Sequence, residues 1–310
     1  MTRSYAFLIG SLAAIWGASY LFIKVAVRDF PPASMIEIRL LVAGLLLTGF
    51  VVLQNGRAGL RELRAAGLAG FALGVVNGAI PFTLIAWGEK HIDSGIAAVA
   101  NATVPLFNAM LVPWLLPEER LSRRRFGGVL LGLVGVSVLA FAQPNVSWWF
   151  VAGTMAVVVA SVSYALGGIF AQHRLGNTRG PALAAAAMLG GAVALLPFAL
   201  VDLPTHAPGW KSIGSLAGLT LAGTALAQLI LYRAIRLHGS ARTSLVTYLM
   251  PPVALFYGAV LLGEPIYGAV LLGEPITAAS LGGLALILLG VALGSEALRF
   301  VRRTTPIPEA

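Results

Sequence analysis

The 310-residue chain is 58% apolar, 11% charged and free of cysteine; a soluble domain carries about 25% charged residues. These values exclude an ordinary soluble fold, and the missing thiols exclude disulfides, thiolate metal sites and cysteine nucleophiles. The formal net charge of +9 would suggest nucleic acid only if it gathered in one patch, and it is spread over short segments instead.

Between those segments lie apolar stretches of about 20 residues, the length that crosses a hydrocarbon core of about 30 Å. Ten occur, near 5–24, 34–53, 66–87, 95–116, 126–143, 149–171, 181–201, 212–232, 243–262 and 278–298. The first reads as a span and not as a cleaved leader, because it is long, ends in Lys24 and has a counterpart in the second half. The predicted fold class is all-α integral membrane.

In span one, Trp16, Tyr20 and Lys24 share one helical face, as do Tyr164, Gly168 and Gln172 in span six. Polar side chains inside a bilayer are costly and turn toward a cavity or a partner helix. Lys24 is open to two readings, a side chain snorkelling to the headgroups or an anchor for an anion. In span two, Glu37 and Arg39 are two apart and point to different sides of the helix. Arg39 has either a partner elsewhere or a place at the cavity mouth. Span three offers Asn77 and Pro81, and the stripe Gly67, Gly70, Gly74, Gly78 reads as packing. Glu89 closes that span, where an acid is ordinarily a solvated loop charge. Glu37 and Glu89 are the weak candidates for proton coupling.

Span four carries Asn101, Pro105 and Asn108 on one face, and span nine carries Ser244, Tyr248 and Pro251. Span eight adds Thr224, Gln228 and Tyr232. Each proline lacks an amide hydrogen and leaves a carbonyl unpaired, which is tolerated where the backbone is packed or lines water. Pro81, Pro105 and Pro251 are therefore either simple kinks or points of flexure. The cavity candidates are Trp16, Tyr20, Lys24, Asn77, Asn101, Asn108, Tyr164, Gln172, Gln228 and Tyr248. In spans five and ten, Gly128, Gly132, Gly135 and Gly283, Gly290, Gly294 form small faces suited to close helix contact, within one chain or in a homodimer. Trp114, Trp148, Trp149 and Trp210 sit near span ends as interface anchors.

The two halves repeat each other. Trp16-Gly17 falls over Tyr164-Ala165, Ala69-Gly70 over Ala217-Gly218, Pro105 over Pro251, and Gly127-Gly128 over Gly282-Gly283. Five spans per half is odd, so equivalent segments face opposite sides and the repeat is inverted. The basic residues agree. Arg3, Arg57, Arg61, Arg64, Arg120, Arg123, Arg124, Arg125, Arg174, Arg179, Arg233, Arg236, Arg242, Arg299, Arg302 and Arg303 all fall on one side when both termini are cytoplasmic. The expected units are 1–143, 144–298 and a cytoplasmic tail at 299–310. The sequence YGAVLLGEPI occurs twice in tandem over 257–276. The second copy is too short to span and reads as a loop insertion or an error in the recorded sequence. The sharper reading is an apolar flap over the outer mouth.

These residues resemble the EamA group of the drug/metabolite transporter superfamily. They are Trp16-Gly-Ala-Ser19, Lys24, Arg39 to Ala43, Pro105, Glu119 to Ser122, Gly127 to Val136, Pro251, Leu262 to Glu264 and Gly282 to Val291. The resemblance covers about residues 5–298. It implies ten helices in two inverted repeats, a central cavity, alternating access, and export of small metabolites, amino acids or drugs across a bacterial inner membrane.

Two other function classes compete. A lipid-modifying membrane enzyme needs clustered acids or histidines, whereas Asp29, Asp93 and Asp202 fall in turns and His91, His173, His206 and His238 lack ligand spacing. A passive channel needs charge rings or a filter. The expected partners are a small-molecule substrate and the bilayer, with no nucleic acid, no cofactor and no metal.

Overall fold

The computed structural model describes residues 3–115, 147–174, 180–238 and 246–263, with isolated helical positions between 127 and 138 and between 282 and 293. The elements are α1 (Arg3–Ala26), α2 (Pro32–Gly74), π1 (Val75–Ala79), α3 (Ile80–Gly88), α4 (Ser94–Asn101), α5 (Val104–Leu115), α6 (Trp148–Arg174), α7 (Gly180–Val201), α8 (Trp210–Thr220), π2 (Leu221–Leu226), α9 (Ala227–His238), α10 (Val246–Tyr257) and π3 (Gly258–Leu262). There is no strand among the described residues. The second copy of the decapeptide, 267–276, lies outside them.

Among the described residues, five helical stretches are long and apolar enough to cross a membrane: Ala6–Ala26, Pro32–Gly88, Trp148–Phe170, Gly180–Val201 and Trp210–Leu231. The second is 57 residues long, about 85 Å at 1.5 Å per residue, far beyond one bilayer core. It is not one rod. Gly56 (φ 54°) and Gly67 (φ 33°) leave the helical region, in backbone conformations that glycine tolerates and other residues rarely adopt. Between these breaks Arg57, Arg61 and Arg64 are exposed.

The two arms on either side fold back against the same helix. A side chain built on Gly44 would meet Leu189, one on Gly70 would meet Ala186, and one on Gly74 would collide with the Ala187 carbonyl and the Gly191 amide. Gly70, Gly74 and Gly78 thus form a packing stripe, while Gly67 is a turn residue with nothing near its α-carbon. Small faces also serve the last described helical positions: a Cβ on Gly290 would strike the Gly128 carbonyl and the Gly132 backbone. These glycines make their contact within one chain.

Helix partners cross between the two halves of the sequence. α1 packs against α8, α9 and α10, while α6 packs against α3, α4 and α5. Turns on one face are pinned by carboxylates at helix N-termini, where amides lack helical partners. Asp29 accepts from the Gly209 amide at 2.8 Å, and Asp202 accepts from the Ala33 amide at 3.3 Å. The Gly209 amide, with the Ser212 hydroxyl second, holds the Asp29 carboxyl below its ordinary range.

Proline explains two departures from regular helix. Pro105 cannot donate to the Asn101 carbonyl, and the chain breaks between α4 and α5, at Ala102 and Thr103, just before it. Pro81 lies two residues beyond π1 and cannot donate to the Asn77 carbonyl within it, so the wider turn absorbs the missing bond. Pro251 is buried within α10, which runs through it without a break in assignment.

Candidate functional site

The central polar cluster is built around Arg39, on the first arm of α2 and only 5% exposed. Its guanidinium carbon lies 3.8 Å from the centroid of the Phe82 ring, a cation–π contact strengthened by desolvation. Its Nε donates to Thr224 Oγ1 at 2.8 Å. Thr224 in turn donates to the Leu219 carbonyl, five residues back, at 3.1 Å, a reach that the π2 turn provides. Phe82 is tilted against Tyr164 at a ring separation of 6.2 Å.

A second chain of bonds crosses from α1 to α6. Asn101 Nδ2 donates to Tyr20 Oη at 2.8 Å. Ser161 Oγ faces Asn101 Oδ1 at 3.2 Å and the Val157 carbonyl at 3.1 Å. All three side chains are buried, so each bond spares a polar group from standing unpaired in an apolar interior.

The turns π1 and π2 occupy matching places. The register that sets Trp16 over Tyr164 and Ala69 over Ala217 sets Val75 of π1 over Gly223 of π2. A π turn interrupts the regular backbone ladder, and here a carbonyl in each turn receives an outside donor. Trp16 Nε1 of α1 donates to the Gly223 carbonyl at 3.2 Å. Ser163 Oγ of α6 donates to the Val76 carbonyl at 2.6 Å. The packing is matched too: a Cβ on Gly223 would touch Ser19 Oγ, and a Cβ on Gly167 would touch Asn77.

Lys24 is committed to backbone. Its Nζ donates to the carbonyls of Glu89 at 2.9 Å and Ile92 at 2.6 Å, and stands 3.9 Å from Asp93 Oδ1. Glu89 is fully buried, at 0% exposure, and is not the solvated loop charge that its place at a span end suggested. Glu37 is also buried, and its Oε2 accepts no hydrogen bond among the described residues. On the same loop His91 lies edge-on to Trp87 and stacked on Trp149, with ring separations of 4.8 and 5.0 Å. Burial, then the Lys90 and Lys24 charges, hold its pKa below the usual histidine range.

Trp16, Tyr20, Asn77, Asn101 and Tyr164 thus lie on the helices that meet at this cluster, and Gln228 is half-buried on α9. The side chains of Asn108, Gln172 and Tyr248 lie outside the described residues. Sequence reasoning passed over Phe82 and Ser161, and left Arg39 without a partner. Phe82 had one available signal: it follows Pro81 at the point where span three departs from regular helix.

No group of three or more metal-ligating side chains occurs among the described residues.

The whole chain can now be set beside known proteins. The profile of the EamA-like transporter family matches residues 3–141 and again 151–268. The chain is 30% identical over 268 residues to the "Uncharacterized inner membrane transporter YedA" of Escherichia coli (strain K12), covering 84% of each chain. It is 26% identical to a "Probable amino-acid metabolite efflux pump" of Salmonella typhimurium, covering 99% of each. A solved crystal structure superposes with a TM-score of 0.66 at 18% identity, covering 97% of this chain and 99% of the other, which supports the helical fold alone. With the apolar helices and the doubled profile match, these findings make the chain a multi-pass membrane transporter of the EamA-like transporter family.

Proposed function

We propose that the protein is a secondary carrier that exports small, carboxylate-bearing metabolites of the amino-acid type across a bacterial inner membrane by alternating access. The observation that carries this reading is Arg39, a buried cation resting on Phe82 and bonded through Nε to Thr224. An ionisable group at membrane depth marks a substrate or ion path by default. Arginine suits a planar carboxylate better than lysine because its donors form a rigid fork. Phe82, Tyr164 and Trp16 supply aromatic surface for the remainder of the solute. A relative named as an amino-acid metabolite efflux pump is consistent with that substrate class.

The architecture proposed with it has ten spans in two inverted five-helix repeats, 1–143 and 144–298, with a tail at 299–310 and both termini cytoplasmic. Support comes from the doubled profile match, the matched π turns and the glycine contact between Gly290 and Gly128–Gly132. In this scheme Asn77, Asn101 and Gln228 line the chamber with Asn108, Gln172 and Tyr248. Pro81, Pro105 and Pro251 permit bending. Glu89 and Glu37 are the groups that could carry a coupled proton.

The test is counterflow in proteoliposomes with a panel of amino acids and their decarboxylated amines. Preloaded carboxylate should accelerate uptake of labelled amino acid, and Arg39→Gln should remove the effect while the amines remain inert. Equal exchange of amines, or unaltered exchange by Arg39→Gln, overturns the assignment.

A further inference from the structure

α1 packs against α8, α9 and α10 as one group, and α6 packs against α3, α4 and α5 as another, with α4 at the seam, where it also meets α1 and α10. Within each group a side chain is bonded into a π turn, Trp16 to Gly223 and Ser163 to Val76. Polar bridges run between the groups. One is Tyr20 with Asn101. Another is Lys24 with the Glu89 and Ile92 carbonyls.

Trp16, Tyr20 and Lys24 follow one another along a single face of α1. The innermost is tied to its own group and the outer two are tied to the other. Lys24 reaches the carbonyls that follow the C-terminal end of α3, where acceptors lack helical partners and the helix dipole favours a cation. Its Asp93 neighbour at 3.9 Å adds an opposite charge. The same residue types seen from a transport standpoint make a clasp: a flexible four-carbon stem from one group closing on backbone of the other, directly outside the Arg39 cluster.

We propose that Lys24 is the latch of the gate on this face. In the structure Lys24 ties the two groups together on the side of the 89–93 turn. Opening that side requires Lys24 to leave both carbonyls, after which Tyr20 and Asn101 separate one turn deeper. This inference rests on the alternating-access reading, and it moves Lys24 from ligand binding to gating.

The chain has no cysteine, so a single introduced thiol reports accessibility without background. Asn77→Cys, on the half-buried π1 turn, serves as chamber reporter. His206→Cys, on an exposed turn bonded to the Asp29 side, identifies the same membrane face. Both are labelled with a membrane-impermeant maleimide in sealed vesicles of either orientation. Lys24→Met in the Asn77→Cys background should be labelled about tenfold faster from the His206 face, equivalent to about 1.4 kcal/mol, and more slowly from the opposite face. Lys24→Arg should behave as the parent. Lys24→Gln, which keeps a donor on a side chain one atom shorter and uncharged, should fall between, and it carries the test if the methionine variant does not fold. Labelling that is unchanged by Met or Gln, or raised equally from both faces, overturns the latch. Because the readout uses no solute, a wrong substrate class would leave this result intact.

Discussion

Trp16 donates its indole hydrogen to the carbonyl of Gly223, a residue 207 positions away along the chain. Its counterpart in the other half is the bond from Ser163 to the carbonyl of Val76. Each joins the first long helix of one half to the π turn of the other. The consequence is that each first helix is fastened into the other half: α1 to the π turn of the second half and α6 to the π turn of the first.

Removing these bonds should loosen the two groups separately. Trp16→Phe keeps most of the aromatic bulk and leaves the Gly223 carbonyl without its indole donor. Ser163→Ala does the same to Val76. Each should cost about 1 kcal/mol and lower the thermal midpoint in detergent. The double variant should be additive, because the two sites share no partner. A strongly non-additive midpoint would mean that the two turns act as one unit.

Thr224 positions Arg39 without being needed to touch solute. Thr224→Val preserves shape and removes the acceptor for Nε, so the guanidinium gains freedom over Phe82. The expected result is a raised KM of about five- to tenfold with kcat little altered, and recovery by Thr224→Ser. Steady-state efflux from preloaded vesicles reads both constants.

Glycine substitutions should divide sharply. Gly74→Ala drives a methyl into the Ala187 carbonyl and the Gly191 amide, both backbone, so relief requires the helices to part. A loss of about 1–3 kcal/mol or more is expected. Gly214→Ala meets nothing within 4 Å and should be neutral or gain up to about 1 kcal/mol from helix propensity. Thermal unfolding of the two purified variants makes the comparison.

The Asp29 clasp should resist moderate acid. Its carboxyl is held below the ordinary carboxylate range by the Gly209 amide and then the Ser212 hydroxyl. A group whose folded pKa is depressed contributes stability above its unfolded pKa and loses it as pH falls through the folded value. Between pH 7 and 5 Asp29 should therefore contribute a constant amount, and its contribution should decline only below about pH 4. Subtracting the thermal midpoints of Asp29→Asn from those of the parent across this range isolates that profile.

Much of the scaffold was legible without coordinates because the solvent imposes it. A chain of this composition has to satisfy its backbone within helices, and runs of about 20 apolar residues mark where those helices cross. The faces of Trp16, Tyr20 and Lys24, and the small faces at Gly70, Gly74, Gly128 and Gly290, follow from helical periodicity alone. Glu89 was harder to read. Its place at a span end suggested solvent, but its side chain is fully buried, and the way a span-end side chain turns depends on contacts that periodicity does not encode.

Arg39 shows the same limit from the other side. Periodicity separated it from Glu37 correctly and went no further, since Phe82 and Thr224 are brought to it by packing of distant helices. Lys24 was open between snorkelling and anion binding, and its geometry with Glu89 and Ile92 is neither.

The sequence by itself determined the medium, the helical class and the faces of the early spans that turn inward, because burial in lipid and a 3.6-residue period act locally. Only the tertiary structure decided which face meets which. Small and polar faces are nearly interchangeable in composition, and their pairing is selected by close backbone approach and by hydrogen bonds spanning as many as 207 residues. Those distant pairings set Arg39 on Phe82, fasten Trp16 to Gly223, and put Lys24 across the seam between the two groups of helices.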